Sequence, residues 1–289
     1  MKRIALATCR ELPRLTPDDR LLLEALDRRG LGTSIVFWDA GDVRWERFDL
    51  VLIRSCWDYH LHGDAFLAWV AAVDRATTIW NPLPLVRWNV DKHYLRDLAN
   101  AGVAVAPTRW PCREGPRTLD GIFRSTGWEE AVVKPTVSAS AHRTWRVRRT
   151  EAQCREAELS RAMAQGDVMV QRYLPEITTG GEWSMIFLDG AFSHAALKSP
   201  KPGDFRVQPD FGGTVQQGNP GPELLAAGRR AVAAAPHPWH YARVDGVETD
   251  GGFMLMELEL IEPALYFAQG PGSADRAADM ITLGVDGQV

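Results

Sequence analysis

The alternation of apolar and polar positions divides the chain into two textures. Residues 3–7 form a short apolar run that reads as a strand. Thr16-Pro17-Asp18-Asp19 then supplies an N-cap, a proline at the first helical position and acids in the first turn. Leu21, Leu22, Leu23, Ala25 and Leu26 make the apolar face of the helix that follows, and Gly30 ends it. Residues 34–38, 50–53 and 77–80 read as strands and 66–73 as a helix. The resulting β-α-β-β-α-β order predicts a small, largely parallel sheet covered by helices. Pro82, Pro84 and the surroundings of Trp88 read as a linker, and residues 91–101 as a helix stopped by Gly102.

Beyond Val132 the strands crowd together, at 131–134, 145–148, 168–173 and 183–188. Asp189-Gly190 is a hairpin turn signal, with residues 191–197 as the return strand. Residues 223–235 form an alanine-rich helix. Strands at 242–247 and 253–260 flank a second turn signal, Asp250-Gly251-Gly252. The fold class is therefore α/β, becoming α+β in the C-terminal half. The expected units are 1–88, a parallel-sheet domain on the substrate side, then 89–175, a central region with a small lobe, and 176–289, a larger lobe. Neither an internal repeat nor a low-complexity segment is visible.

Composition narrows the classes of function. The 289 residues are 45% hydrophobic and 24% charged, ordinary for a globular chain that builds a cleft between lobes. A net charge of −4 argues against a nucleic-acid partner. No apolar run approaches the roughly 18 residues that span a bilayer. The scattered Cys9, Cys56, Cys112 and Cys154, with no CxxC pair, read as reduced thiols of a cytoplasmic protein. The sequence leaves the oligomeric state open, a homo-oligomer included.

The last hairpin carries the strongest chemical signal. Glu257 and Glu259 are two apart on a strand and project to one face, while Met256, Leu258 and Leu260 take the other. Asp245 on the partner strand falls opposite them. Three carboxylates on one face repel unless a cation neutralises them, and hard oxygen donors suit Mg²⁺. The competing reading is a solvated edge hairpin. Lys134 ends an apolar strand, poorly placed for solvation and well placed for an anion. Lys92 opens the 91–101 helix, where a lysine serves a phosphate better than it serves the helix. Alone, each reads as a surface lysine. After Lys134 a run of small and hydroxyl residues, 136–142, lets backbone N–H groups approach a polyphosphate. Arg54, Asp58 and Tyr59 follow a strand of the first domain, where loops face a shared cleft. There Arg54 is expected either to clamp a carboxylate or to pair with Asp58. His60 and His62 read as surface histidines.

Taken in order, these pieces resemble the ATP-grasp superfamily over nearly the whole chain. The elements are Asp91-Lys92, Val133-Lys134-Pro135, the small-residue loop, Val170-Gln171-Arg172-Tyr173-Leu174, Gly181-Glu182, Lys198, Arg206, Gly212-Gly213, Asp245, and Glu257 with Glu259. The resemblance implies two lobes gripping ATP. Lys92, Lys134 and the loop around Ser138 and Ser140 would lie on the phosphates, and Gln171, Arg172, Tyr173 and Leu174 would form the adenine hinge. Glu176 or Glu182 would hold the ribose. Asp245, Glu257 and Glu259 would hold two magnesium ions, and Lys198 and Arg206 would steady the γ-phosphoryl group. The loop 138–143 departs from the family pattern, which is usually glycine-rich. The strings Arg54-Ser55-Cys56-Trp57-Asp58-Tyr59, Trp88-Asn89-Val90-Asp91-Lys92, 198–206 and Glu259-Leu260-Ile261-Glu262-Pro263 are similar to the group that contains the cyclo-ligase of D-cycloserine biosynthesis. Glutathione synthetase and the ribosomal-protein glutamate ligases are more distantly similar. The implied activity is an ATP-dependent ligase that makes an acyl phosphate of a small amino-acid-like carboxylate for a nitrogen nucleophile to attack, by ring closure or amide formation. The alternatives are a kinase on the same fold and a non-catalytic nucleotide-binding protein.

Overall fold

The computed structural model describes residues 1–287. β1 (Arg3–Thr8) leads into α1 (Pro17–Arg28), whose start is fixed where the Thr16 hydroxyl accepts the Asp19 amide. β2 (Gly32–Phe37), β3 (Leu50–Ile53), α2 (Gly63–Ala76) and β4 (Thr78–Trp80) follow. The strands lie in the order β2-β1-β3-β4, every neighbour parallel, as the order of elements predicts.

The expected linker is a helix, α3 (Leu83–Asn89). Its prolines fall at the start, at the cap and in the first turn, where a missing N–H costs nothing. The next helix, α4 (Tyr94–Asn100), begins later than expected. The Asp91 carboxylate takes the His93 amide, and the Thr136 carbonyl takes the Lys92 amide. Lys92 therefore sits in a turn bolted to the end of a strand and does not open a helix.

A small antiparallel lobe comes next. β5 (Thr108–Arg109), α5 (Leu119–Thr126), β6 (Glu130–Pro135), β7 (Trp145–Arg148), α6 (Ala152–Met163) and β8 (Val168–Arg172) form a sheet of order β5-β8-β6-β7. Its helices, absent from the sequence reading, pack Ile122, Phe123 and Leu159 against Val133 and Val170. After the short α7 (Glu176–Thr179) come β9 (Glu182–Leu188), β10 (Ala191–Ser199), β11 (Thr214–Gly218), α8 (Pro222–Ala233), β12 (Tyr241–Thr249), β13 (Gly252–Glu259) and α9 (Ser273–Val285). The five strands form an antiparallel sheet ordered β11-β10-β9-β12-β13. Asp189 and Gly190, at φ 45° and 81°, make the tight turn their sequence predicts.

The hydrophobic clusters cut across the expected boundaries at 88 and 175. Leu95 and Leu98 of α4 pack with Val244 and Leu258 of the five-stranded sheet. Ala278 and Ile281 of α9 pack with Leu22 and Leu26 of α1, so the chain's last helix completes the core of its first domain. Arg28 and Arg29 pair with Asp275 and Asp279 along that contact.

His194 on β10 positions the segment after β13. Its Nε2 lies 2.8 Å from the Leu265 carbonyl and 3.0 Å from that of Tyr266. Burial is the largest influence on the ring and holds its pKa below the usual 6.5; the two carbonyls oppose the shift and nearby Arg276 adds to it. With the folded value depressed, the unfolded chain takes the proton first, so stability is lost as pH falls below about 6.5. Denaturant midpoints at pH 7.5 and 5.5 are expected to fall further in the wild type than in His194→Gln. Parallel losses would mean that this histidine does not sense pH.

Candidate active site

The register of the five-stranded sheet aligns charge across one face. Lys198 pairs with Glu182, Ser184 with Asp245, Asp245 with Glu257, and Arg243 with Glu259. Directly opposed residues share a face, as do residues two apart on a strand. A β-bulge between β12 and β13, which leaves Met256 without an opposing residue, sets this phase and puts Glu257 opposite Asp245.

Protein cations already occupy part of this face. Asp245 is 2% exposed. It accepts hydrogen bonds from Ser184, from Lys198 Nζ at 3.3 Å and from Arg243 Nε at 2.9 Å. Lys198 also meets Glu182 at 2.6 Å, and Arg243 reaches Glu259 and the Ala264 carbonyl. Burial opposes the charge on Lys198, but Asp245 and Glu182 outweigh it and raise its pKa. Burial likewise opposes the charge on Asp245, and Arg243 and Lys198 outweigh it in turn, holding that carboxyl below the usual range. Glu259 differs: burial, assisted by Glu257 and Asp245, pushes it up to about 7 despite Arg243.

Above this face lies a cavity of about 930 Å³, walled by both antiparallel sheets and by the loops of the first domain. Of the residues singled out in the sequence, Lys92, Lys134, Ser138, Ser140, Glu182 and Arg206 line it. So do Tyr59, Glu257, Glu259 and the stretch from Gln171 to Leu174. Asp245 and Lys198 do not; they lie beneath the wall. Lys92 reaches the Ser138 carbonyl at 2.6 Å and Glu257 at 3.1 Å, tying the small-residue loop to the last hairpin. Lys134 has no hydrogen bond or ion pair among the described residues, and burial lowers its pKa. Arg206 is held by both oxygens of Asp204 and lies over the Phe211 ring. The Leu174 amide and the buried Glu176 Oε2 have no partner among the described residues.

Two expectations on the substrate side are corrected. Arg54 is 1% exposed and does not line the cavity. Its guanidinium is spent on Asp19, with Nε at 2.9 Å and Nη2 at 2.8 Å, and on the Pro263 carbonyl. It clamps no substrate, and its partner is Asp19 rather than Asp58. The helix N-cap that the sequence marks at Thr16 is what carries Asp19 to it. Asp58 accepts the Trp38 indole and also stays out of the cavity wall. With Cys9 and Glu11 it forms the one trio of potential ligands within 4.8 Å among the described residues. Asp245, Glu257 and Glu259, parted by the intervening cations, do not converge that closely. His60, expected on the surface, is half-buried with its ring 5.0 Å from that of His142 in the loop. Arg243 and Ser184 were missed. The spacing Arg243-x-Asp245 carried the signal, since it repeats the two-residue step that marked Glu257 and Glu259.

This arrangement of a four-stranded lobe facing a five-stranded sheet is similar in fold to D-alanine–D-alanine ligase from Bacillus anthracis in complex with ATP. The two superpose with a TM-score of 0.70 at 14% identity, over 99% of this chain and 97% of that one. The fold is thus ATP-grasp. Residues 4–81 match the family model described as the N-terminal domain of D-cycloserine synthetase DcsG. Over 282 residues the chain is 34% identical to the cycloserine biosynthesis protein DcsG of Streptomyces lavendulae, covering 90% of this chain and 91% of the relative. It superposes on the crystal structure of D-cycloserine synthetase DcsG with a TM-score of 0.88 and 31% identity, over 98% of this chain and 99% of that one. The chain belongs to the DcsG family, and the protein is an ATP-dependent ligase.

The Arg54–Asp19 pair yields a structural prediction. Ser55 Oγ at 2.5 Å and Thr16 Oγ1 at 3.0 Å also donate to Asp19. Asp19→Ala leaves a buried guanidinium without its counter-charge and is expected to cost about 3–5 kcal/mol of stability. Urea denaturation would measure it, and a loss below about 0.5 kcal/mol, the level of a surface change, would refute the structural role.

Proposed function

We propose that this ligase activates the carboxylate of a small amino-acid-like substrate as an acyl phosphate, which a nitrogen nucleophile then attacks. Given the DcsG relatives, the favoured reaction is closure of O-ureido-D-serine to D-cycloserine, which would place the protein in antibiotic biosynthesis. One observation carries the reading. The cavity brings an unpaired buried-side lysine, Lys134, to the same wall as Glu257 and Glu259, each of which has only Oε1 engaged by a protein cation. Free carboxylate oxygens beside an unpaired amine match the surface of a magnesium-bound polyphosphate.

The donors therefore fit magnesium. Glu257 and Glu259 would present their free oxygens, and Asp245 would use the remaining lone pair of Oδ2, which accepts only Arg243. Two ions on this set is the arrangement we favour. Magnesium held there would supply positive charge that offsets the negative charge developing on transfer. Lys134 would contact the phosphates directly. Lys92 would do so while fixing the loop through Ser138. Arg206 and Arg243 would supply fixed positive charge at the transferring group, and Lys198, beneath the wall, would hold Glu182 and Asp245 in place. The unpaired Leu174 amide would read the adenine edge at the hinge. Of the two candidates for the ribose, Glu182 lines the cavity and keeps Oε2 free while Oε1 meets Lys198, whereas Glu176 stays out of the cavity wall with its unpartnered Oε2 buried. Closing the loop over the cavity would exclude water, to which an acyl phosphate is vulnerable.

The direct test incubates the protein with ATP, magnesium and O-ureido-D-serine, following ADP release and analysing products by mass spectrometry. D-cycloserine is the expected product. A stable phosphorylated substrate would replace this reading with a kinase. Glu257→Gln is expected to abolish turnover while leaving the denaturation midpoint nearly unchanged, because the side chain lies at the cavity wall. Full ADP release in that variant would remove Glu257 from the metal site.

Lys134→Ala is expected to weaken nucleotide binding by about 1.5–3 kcal/mol, the range for a charge-assisted hydrogen bond. Lys201, exposed and outside the cavity wall, serves as the control. Equal calorimetric losses at the two positions would deny Lys134 a specific contact.

A further inference from the structure

Part of the cavity wall is built by the first domain and by the segment after β13, and there one carboxylate stands without a partner. Glu262 is 7% exposed and lines the cavity. Its side chain has neither a hydrogen bond nor an ion pair with any other described residue. An ionised carboxylate so buried is costly without a counter-charge. Burial, reinforced by Glu259, accordingly raises its pKa to about 8.

The nearby cations are already committed. Arg54 is held by Asp19 and the Pro263 carbonyl. Arg243 is held by Asp245, Glu259 and the Ala264 carbonyl. Lys92 is held by Ser138 and Glu257. The backbone of Glu262 is nevertheless anchored, because Trp57 Nε1 donates to its carbonyl at 3.2 Å. Trp57 and Tyr59 line the cavity beside it, and the Tyr59 hydroxyl too is without a hydrogen bond among the described residues. An anchored, buried, unpaired carboxylate next to aromatic faces is a receptor for a small organic cation.

We propose that Glu262 is the specificity-determining residue that binds the positively charged amino group of the substrate, with the Tyr59 hydroxyl and the Trp57 ring completing the subsite. This rests on the carboxylate-activating reading above and adds the second charge of a zwitterionic amino acid. Glu262 follows Glu259 by three residues, so their Cα atoms lie at most about 11 Å apart. One small amino acid can therefore place its carboxylate near Glu259 and its ammonium at Glu262. Carboxylic acids lacking the amino group would bind poorly.

The test is calorimetric and needs no turnover. O-ureido-D-serine, D-serine and D-alanine are each titrated, alongside the analogue lacking the α-amino group, into protein loaded with magnesium and a non-hydrolysable ATP analogue. The wild type is expected to favour at least one amino acid over its desamino analogue by about ten- to a hundredfold, the span of one charge-assisted hydrogen bond. Glu262→Gln, nearly isosteric, is expected to erase that preference and to leave magnesium-nucleotide affinity unchanged. Tyr59→Phe, which keeps the ring, is expected to reduce the preference less. The proposal is overturned by a wild type with no preference for the amino group in any pair, or by a Glu262→Gln that weakens both members of a pair equally. A loss of magnesium-nucleotide affinity would also overturn it, by placing Glu262 among the metal ligands. ADP release by the wild type with O-ureido-D-serine decides the reaction separately, so the subsite and the reaction fail independently.

Discussion

Asp245 is buried between two cations, Arg243 and Lys198, and the rest of the site is arranged around that balance. None of these groups tolerates burial alone, since an isolated charge in a low-dielectric interior costs several kcal/mol. Together, and with Glu182, Glu259 and the Ser184 hydroxyl, they form a satisfied row across four strands. Replacing one partner would leave the others exposed to the full desolvation penalty, so the row has little freedom to move. Glu257 and Glu259 inherit this rigidity. They project from β13 at heights fixed by the register with β12, and each turns one oxygen toward a protein cation and keeps the other for the cavity. The row thus acts as a floor on which the cavity-facing carboxylates stand.

The floor matters because the first domain is fastened to the same sheet. Asn81, fully buried, donates to the carbonyls of Tyr241 and Leu260 and accepts the His240 amide. The Tyr241 hydroxyl lies within 3.1 Å of the carbonyls of Ile53, Trp80 and Ile261. Arg54 extends the seam to Pro263. These bonds pin the segment after β13 between the parallel sheet and the antiparallel one. That is where Glu262 enters the cavity and where Trp57 and Tyr59 meet it. Arg54 therefore bears on the cavity as a strut for its wall rather than as a lining residue.

What the sequence revealed and what it hid differ by range. The parallel sheet, both hairpin turns and the face shared by Glu257 and Glu259 were legible, because each depends on spacing within a few residues. Helices α5, α6 and α9 escaped notice. α6 is polar along much of its length, and the α9 face is recognisable only against α1, some 250 residues away. The site divides in the same way. Lys134 was readable as a charge ending an apolar strand. Arg54 was misread because its partner depends on how α1 docks on β3, which no local pattern encodes. The commitment of Lys198 to Glu182 and Asp245 follows from strand order, which a sequence states only implicitly.

The loop from Ser138 to Arg143 shows how much a missing residue type decides. A phosphate-covering loop commonly uses glycine to reach left-handed backbone conformations. Here Ser140, Ala141 and Arg143 adopt φ of 50°, 54° and 51° without it. Each such residue carries a strain on the order of 1 kcal/mol, which persists only where the surroundings over-determine the conformation. The surroundings are identifiable. Lys92 grips the Ser138 carbonyl, Ala139 packs against the core of the first domain, and His142 lies against His60. Every one of these contacts holds the loop over the cavity, and two of them reach it from the first domain. A glycine-rich loop would adopt these angles without strain but would hold them less firmly. Without glycine the loop has fewer alternatives, so its place over the cavity rests on contacts with the first domain more than on its own backbone preference.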